Sequence, residues 1–231
     1  MNVNTLLELD RAWLAFFNGS HSLFVDSLAL TLTSGFTWIP LYLALLYVII
    51  RNNETMPQIA LAIGCGLFCV LVASISVELL IKPLVARFRP TNDPALKYTI
   101  DTVQGLRGGQ YGFFSAHAAN TFSLAVFVSQ LMRSRALGVG LVLWSAANCW
   151  TRLYLGLHYP TDILCGLIWG LLIALGAYRI YLHFSSRWGT YRPASTVQCT
   201  SSGYTLEDIR NLLVVLSILL CTIIIYSLIT I

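Results

Sequence analysis

Long apolar stretches dominate this chain of 231 residues and limit what it can fold into. A helix that crosses about 30 Å of hydrocarbon needs about 20 mostly apolar residues. Six segments have that character: 24–50, 57–81, 116–132, 136–154, 160–183 and 209–231. A bend in the first is expected near Gly35 and Pro40. The pattern predicts an all-α membrane protein, a single domain over residues 1–231 with about six transmembrane helices.

Composition supports a membrane location and excludes several function classes. Charged residues make up 10% of the chain and the mean hydropathy is +0.73, whereas soluble domains carry about 25% charged residues. The net charge of +4 is small and scattered, so we predict no nucleic-acid partner and favour a membrane surface or an anionic substrate. Five of the six cysteines lie in apolar stretches, where cysteine packs as a small hydrophobe. We predict no disulfide framework and no metal site.

Residues 3–17 differ from the six long segments. Leucine, Trp13 and phenylalanine alternate there with Glu8, Asp10 and Arg11. This pattern predicts an N-terminal helix that lies in the membrane interface, with Trp13 at the level of the headgroups. Residues 185–208 are polar and rich in Ser and Thr, which predicts a connecting loop.

Three polar clusters border the apolar segments, and alternate crossing places them on one face of the membrane. They are Lys82 to Arg89-Pro90, then Ser115-Ala116-His117, then Thr151-Arg152 to His158 and Asp162. Each also has a structural interpretation: snorkelling cations, a helix N-cap and a local His–Asp hydrogen bond. Together they place three cations beside one acid. Because unpaired charge near the membrane is costly, the clusters predict a bound anion, and phosphate suits arginine and lysine.

The clusters resemble the signature of the type 2 phosphatidic acid phosphatase (PAP2) superfamily: Lys-x6-Arg-Pro, Pro-Ser-Gly-His and Ser-Arg-x5-His-x3-Asp. They fall within residues 82–162 in the right order and with the internal spacings intact. Phe114, Ala116 and Thr151 replace the proline, glycine and serine of the pattern. The resemblance implies a PAP2-type helix bundle and a membrane-embedded lipid phosphatase.

The resemblance also implies a role for each residue of the clusters. His158 would attack phosphorus and form a phosphohistidine, Asp162 would orient its ring, and His117 would act as general acid and base. Phosphate oxygens would be bound by Lys82, Arg89, Ser115, Ala116 and Arg152. Glu78, one turn before Lys82, is predicted to support that lysine as an i,i+4 ion pair. These roles need no cofactor and no metal.

Similarity to bacterial undecaprenyl pyrophosphate phosphatases makes undecaprenyl pyrophosphate the first predicted substrate. A lipid A phosphatase or a phosphatidylglycerophosphate phosphatase would show the same motifs. A non-catalytic lipid-binding or transport protein is disfavoured because His117, His158 and Asp162 are all present. Soluble vanadium haloperoxidases have a similar anion site, but the apolar segments exclude them. No obligate protein partner is predicted.

Basic residues suggest which side of the membrane the clusters face. Seven lie on the site side and seven on the opposite side, but three of the former are expected to bind substrate. Discounting these leaves an excess on the opposite side, including Arg51, Arg133, Arg135, Arg187 and Arg192. By the positive-inside rule, we predict a bacterial inner-membrane protein with its site on the periplasmic face.

Overall fold

The computed structural model describes residues 3–20, 22–187 and 198–230, and this part of the chain is helical, without β-strands. The helices are α1 (Val3–Phe17), α2 (Leu23–Thr33), α3 (Ile39–Arg51), α4 (Met56–Ile75), α5 (Lys82–Val85), α6 (Ala116–Met132), α7 (Arg135–Tyr154), α8 (Pro160–Arg187) and α9 (Leu206–Ile229). A π-helical segment, Ser76–Ile81, joins α4 to α5. The all-α prediction is confirmed.

The predicted apolar segments coincide with helices to within about four residues. Segment 116–132 has the bounds of α6. Segment 24–50 is broken at Ser34 into α2 and α3, which meet at 65°, so the bend near Gly35 is confirmed. Residues 188–197 of the predicted loop, His21 and Arg192 lie outside the described residues, as does the side chain of Arg187.

Three described helices are long and apolar enough to cross a membrane: Met56–Val85, Pro160–Ser186 and Leu206–Ile229. The bent pair Leu23–Thr33 and Gly35–Arg51 provides a fourth if it forms one span. Helix α6 has 17 residues and α7 is less apolar than these helices. By length and apolar character, neither therefore counts as a membrane-crossing helix. The predicted number of six is therefore not confirmed.

Apolar side chains cover the outside of these helices, which is the reverse of a soluble protein. More than half of each of the following side chains is exposed: Leu67 and Leu71 on α4, Leu164 and Ile168 on α8, Ile218 and Ile225 on α9. A contiguous apolar surface of this kind is unstable in water and is stabilised by lipid chains. The chain is a membrane protein.

Helix α6 is central and packs against α4, α7 and α8. Its close approach to α8 depends on two glycines spaced by four residues. A Cβ atom on Gly166 would lie 2.6 Å from the carbonyl oxygen of Ser115, and one on Gly170 would lie 2.6 Å from that of Ala119. Small residues at this spacing let two helix backbones meet. The start of α6 is thereby held against the start of α8, where the second and third clusters lie.

Candidate active site

The three polar clusters meet at one end of the helix bundle. The first comes from α5 and the loop after it, and the second from the start of α6. The third comes from the end of α7, the short segment that follows it and the first turn of α8. The backbone N–H of Ser115 donates to the carbonyl of Asp162 at 2.9 Å, and Arg89 Nη1 lies 3.3 Å from His158 Nε2. Residues far apart in sequence thus share one site, as the alternate crossing predicts.

Lys82 is buried at the start of α5, and its ammonium group donates to Glu78 in the π-helical segment. The predicted i,i+4 ion pair is therefore present. The π-helical segment starts at Ser76 and lies directly before the lysine. Such segments often occur at functional sites.

Arg89 is buried and fixed by backbone carbonyls. Its Nε donates to the carbonyl of Tyr111 at 3.1 Å, and the backbone around it pairs with residues 110–112. Gly108 packs directly on its guanidinium, since a Cβ there would lie 2.6 Å from Nη1. Of the described acids, none forms an ion pair with Arg89 within 4.0 Å.

The second cluster opens α6. The Ser115 hydroxyl accepts a hydrogen bond from the N–H of Ala118 at 3.4 Å, so it caps the helix. The N–H groups in the first turn of a helix have no intrahelical acceptor and attract anions; Ala116 and His117 supply two of them. The His117 ring is exposed to an internal cavity and interacts electrostatically with Arg152, His158, Arg89 and Lys82.

Arg152 is buried in the last turn of α7. One terminal nitrogen donates to the hydroxyl of Thr33, whereas its Nε is buried without a hydrogen-bond partner. As with Arg89, none of the described acids lies within ion-pair distance. Burying a guanidinium with an unused donor costs free energy unless an anion accepts a hydrogen bond from that donor.

His158 lies in the short segment between α7 and α8 and is 1% exposed. Its Nε2 lies 3.3 Å from Arg89 Nη1, and because a guanidinium has only donors, this contact favours the tautomer in which Nε2 is unprotonated. Its Nδ1 lies 3.8 Å from Asp162 Oδ2, which is beyond hydrogen-bond distance. The predicted His158–Asp162 contact is therefore present as a close approach without a direct hydrogen bond.

Burial first, and then the positive charges of Arg89, Arg152 and Lys82, hold the pKa of His158 well below its ordinary value. Burial also lowers the pKa of Arg89. Burial is the leading cause of both shifts, and the neighbouring cations add to it at His158. An anion bound there would be stabilised by the same charges.

Asp162 is completely buried, and its strongest contacts are ones that the sequence did not predict. Its Oδ1 accepts from Arg87 Nη1 at 2.8 Å and its Oδ2 from the N–H of Tyr159 at 3.0 Å. Arg87 Nη2 donates in turn to Asp10 of α1 at 2.6 Å. Arg87 is therefore paired with two carboxylates inside the protein. No local pattern near Asp10 indicates this pairing, which depends on the tertiary fold.

An apolar cavity of about 560 Å³ opens beside the cluster. It lies between the bent α2–α3 pair and helices α4, α6 and α7. His117 lines one part of it, and residues such as Trp38, Leu45, Leu67, Phe127 and Trp144 line the rest.

The sequence profile of the PAP2 superfamily matches residues 62–186. Lipid A 4′-phosphatase of Bacteroides thetaiotaomicron is 34% identical over 228 residues, which cover 98% of this chain and 99% of that protein. The chain belongs to the PAP2 superfamily. Lipid A 4′-phosphatase of Porphyromonas gingivalis is 32% identical and covers 89% of this chain and 85% of its own length.

A decaprenylphosphoryl-5-phosphoribose phosphatase of Mycobacterium tuberculosis is 36% identical over 118 residues, 51% of this chain and 55% of that protein. No solved structure matches the chain significantly. Membership of the PAP2 superfamily and the phosphatase relatives identify the chain as a phosphatase, as its three motifs predict.

Two departures from the PAP2 pattern have structural explanations. The Thr151 hydroxyl donates to the carbonyl of Asn148 at 2.7 Å, a contact within α7 that a serine would also make. Ala116 is buried at the start of α6, where its methyl group leaves the helix N-terminus intact. Phe114 packs against the core, and nothing in the site explains its replacement of proline.

Proposed function

We propose that this PAP2 protein is a lipid A phosphatase that hydrolyses the 4′-phosphate monoester. Two lipid A 4′-phosphatases align with nearly all of the chain, at 34% and 32% identity. They favour the lipid A alternative over undecaprenyl pyrophosphate, which was the first prediction. The more distant relative acts on a different lipid phosphate, so the family alone does not select the substrate.

The observation that carries the phosphatase proposal is a buried cationic pocket around an unprotonated imidazole. Arg89 and Arg152 converge on this pocket without an acid in ion-pair distance among the described residues, and Lys82 adds a third charge. Such donors bind and stabilise a phosphoryl group as charge develops on its oxygens. Ser115 and the N–H groups that follow it would add neutral donors.

The geometry supports a two-step mechanism. His158 Nε2 attacks phosphorus, a P–N bond forms, and the P–O bond to the sugar breaks while His117 protonates the departing oxygen. His117 then removes a proton from water, whose oxygen attacks phosphorus and breaks the P–N bond. Inorganic phosphate leaves and both imidazoles are restored. Asp162 would stabilise positive charge on His158 through Nδ1.

The apolar cavity provides a place for the acyl chains of such a substrate. It reaches His117 and is lined mostly by aliphatic and aromatic side chains. A lipid phosphate could therefore place its headgroup among the cations and a chain among these side chains. This arrangement suits lipid substrates in general and does not separate lipid A from other lipids.

We also infer that α6 and α7 cross the membrane beside the longer helices, which gives the six crossings that the sequence predicts. Helix α6 packs against α4 and α8, and α7 packs against α6, α2 and α9, which supports this. Helix α1 would lie in the interface, because Trp13 and Phe16 face outward while Asp10 and Leu14 are buried. The inner membrane, with the site on the periplasmic face, remains our proposed location.

The hydrolysis would need neither a metal nor another cofactor. Within the described residues, no three His, Cys, Asp or Glu side chains form a group that could hold a metal ion. Three cationic side chains supply the charge that a metal ion provides in other phosphatases.

Phosphate release by the purified protein tests the proposal. The substrates are lipid A, undecaprenyl pyrophosphate and phosphatidylglycerophosphate, with His158→Ala as the blank. We expect fastest release from lipid A, with mass spectrometry showing loss of the 4′ rather than the 1 phosphate. Faster release from undecaprenyl pyrophosphate would contradict the lipid A proposal. Equal release by His158→Ala would contradict the mechanism.

A further inference from the structure

Asp10 is an acid in an unexpected place. It lies on α1, is 3% exposed, and faces inward from a helix most of whose large apolar side chains are exposed. Its Oδ2 accepts from Arg87 Nη2 at 2.6 Å and from the hydroxyl of Thr161, and its Oδ1 accepts from the N–H of Thr161 at 3.0 Å. Both carboxylate oxygens are therefore bound to the segment that carries Asp162.

Arg87 connects this acid to the site. Its Nη1 donates to Asp162 Oδ1 at 2.8 Å and to the Thr161 hydroxyl at 2.7 Å, while its Nη2 binds Asp10. The guanidinium carbon also lies 4.1 Å from the centre of the Tyr159 ring. One planar cation is thus shared by two buried carboxylates and held by an aromatic face.

The sharing affects what Asp162 can do for His158. Asp162 Oδ2 is the carboxylate oxygen nearest to His158 Nδ1, at 3.8 Å. Because Arg87 neutralises part of the carboxylate charge, the electrostatic attraction between Asp162 and the Nδ1 proton becomes weaker. Asp10 forms a second ion pair with the Arg87 guanidinium and fixes its position, so Arg87 neutralises Asp162 less. Without Asp10, Arg87 would pair with Asp162 alone, and the orientation of Asp162 toward the ring would be less defined.

We propose that Asp10 is a positioning residue that acts through Arg87 and Asp162 to orient the His158 imidazole. This inference rests on the proposed function of His158. Asp10 lies outside residues 62–186, which the PAP2 profile matches, so the family motifs do not assign it a role.

Asp10→Asn tests the inference, because it removes the charge and retains the shape. Asp208→Asn is the matched control: Asp208 is equally buried, pairs with Arg51 at 3.6 Å and accepts from Thr205 at 2.7 Å, and these contacts lie at the start of α9, away from the motifs. We expect Asp10→Asn to lower kcat by about 10- to 100-fold with KM changed less than about threefold. Asp208→Asn should change kcat less than about threefold, with a similar loss of thermal stability.

A double variant separates positioning from general destabilisation. If Asp10 acts through Asp162, Asp10→Asn should have little further effect on kcat in a protein that already carries Asp162→Asn. The proposal would be overturned if the losses of kcat in Asp10→Asn and Asp162→Asn multiply in the double variant. It would also be overturned if Asp10→Asn alone lowers kcat no more than Asp208→Asn does.

A second measurement does not depend on the substrate. The chain has four histidines, so the ¹⁵N imidazole signals of His158 can be assigned by comparison with His158→Ala. We expect Asp10→Asn to shift these signals and Asp208→Asn to leave them unchanged. Unshifted signals in Asp10→Asn would overturn the positioning role. A wild-type protein that releases no phosphate from any lipid, with His158 signals still sensitive to Asp10, would instead overturn the proposed function.

Discussion

At the scale of single residues, the site is organised by charge that the protein does not neutralise. Lys82 has Glu78 as a partner, whereas Arg89 and Arg152 have no ion pair among the described acids. The acid nearest to His158, Asp162, is bound mainly by Arg87. Positive charge is therefore retained where a phosphate would bind, and Asp162, which approaches the His158 ring at 3.8 Å, is held by Arg87.

Replacing Arg89 by alanine should remove one of these charges. We expect kcat/KM to fall by about 10²–10³, which is typical when one preorganised donor to a transition-state oxygen is lost. Arg89→Lys should recover only part of this, because an ammonium lacks the planar fork of donors. Arg107→Ala in the same loop is the control, since its Nη1 is bound to the carbonyl of Thr91. Equal losses in both alanine variants would contradict a specific role for Arg89.

The depressed pKa of His158 predicts a pH dependence with a definite sign. Burial and the neighbouring cations lower this pKa in the folded protein, while the unfolded chain takes up the proton near the ordinary value of about 6.5. Protonation therefore favours unfolding, and the stabilising contribution is present above about pH 6.5 and is lost as the pH falls below it. Thermal unfolding in detergent at pH 5 to 7.5 should show this loss. His158→Phe should reduce the slope, and an unchanged slope would contradict the assignment.

How much of the site the sequence predicts depends on whether its contacts are local. Lys82–Glu78 follows from i,i+4 spacing, and the three motifs follow from their order along the chain. The pairing of Arg87 with Asp10 joins residues 77 apart, and no periodic pattern indicates it. The 3.8 Å separation between His158 and Asp162 is likewise not predicted by the local spacing, because Arg87 and the N–H of Tyr159 bind the carboxylate.

At the scale of helices, apolar runs predict where most helices lie because every backbone group in a membrane must bond within its own helix. The contact between α6 and α8 was missed, although Gly166 and Gly170 carry the small-residue spacing that indicates it. Helix length is less informative for membrane crossing. Helix α6 is shorter than the lipid-facing helices, and protein covers nearly all of it. Helix α7 is more polar, although Val139 and Leu143 face outward.

Gly166→Ala should change the geometry of the candidate active site, although Gly166 is not one of the predicted site residues. The added methyl group would lie 2.6 Å from the carbonyl oxygen of Ser115, so α6 and α8 would have to move apart. Overpacking of this kind costs about 1–3 kcal/mol, which corresponds to a transition temperature lower by about 2–10 °C. Gly176→Ala on the same helix is the control, because no atom lies within 4 Å of its added methyl. Activity and thermal unfolding should change in the first variant and not in the second.

At the scale of the whole molecule, a membrane bundle with a cationic pocket should not need a divalent ion. Hydrolysis of lipid A in excess EDTA should retain most of the wild-type rate. The physical reason is that, in the proposed mechanism, Lys82, Arg89 and Arg152 supply the positive charge for the transition state. Complete loss of activity in EDTA, restored by a divalent ion, would contradict metal-independent hydrolysis.

The orientation of the whole chain is tested by cysteine labelling. The positive-inside rule places the loop between α5 and α6 in the periplasm and the turn between α3 and α4 in the cytoplasm. Tyr98 and Glu54 are exposed on these two segments. With the six native cysteines replaced by alanine, Tyr98→Cys should react with a membrane-impermeant maleimide in intact spheroplasts. Glu54→Cys should react only after permeabilisation, since an impermeant reagent does not reach the cytoplasm. The opposite labelling would place the phosphate pocket on the cytoplasmic face and would require a substrate delivered from that side.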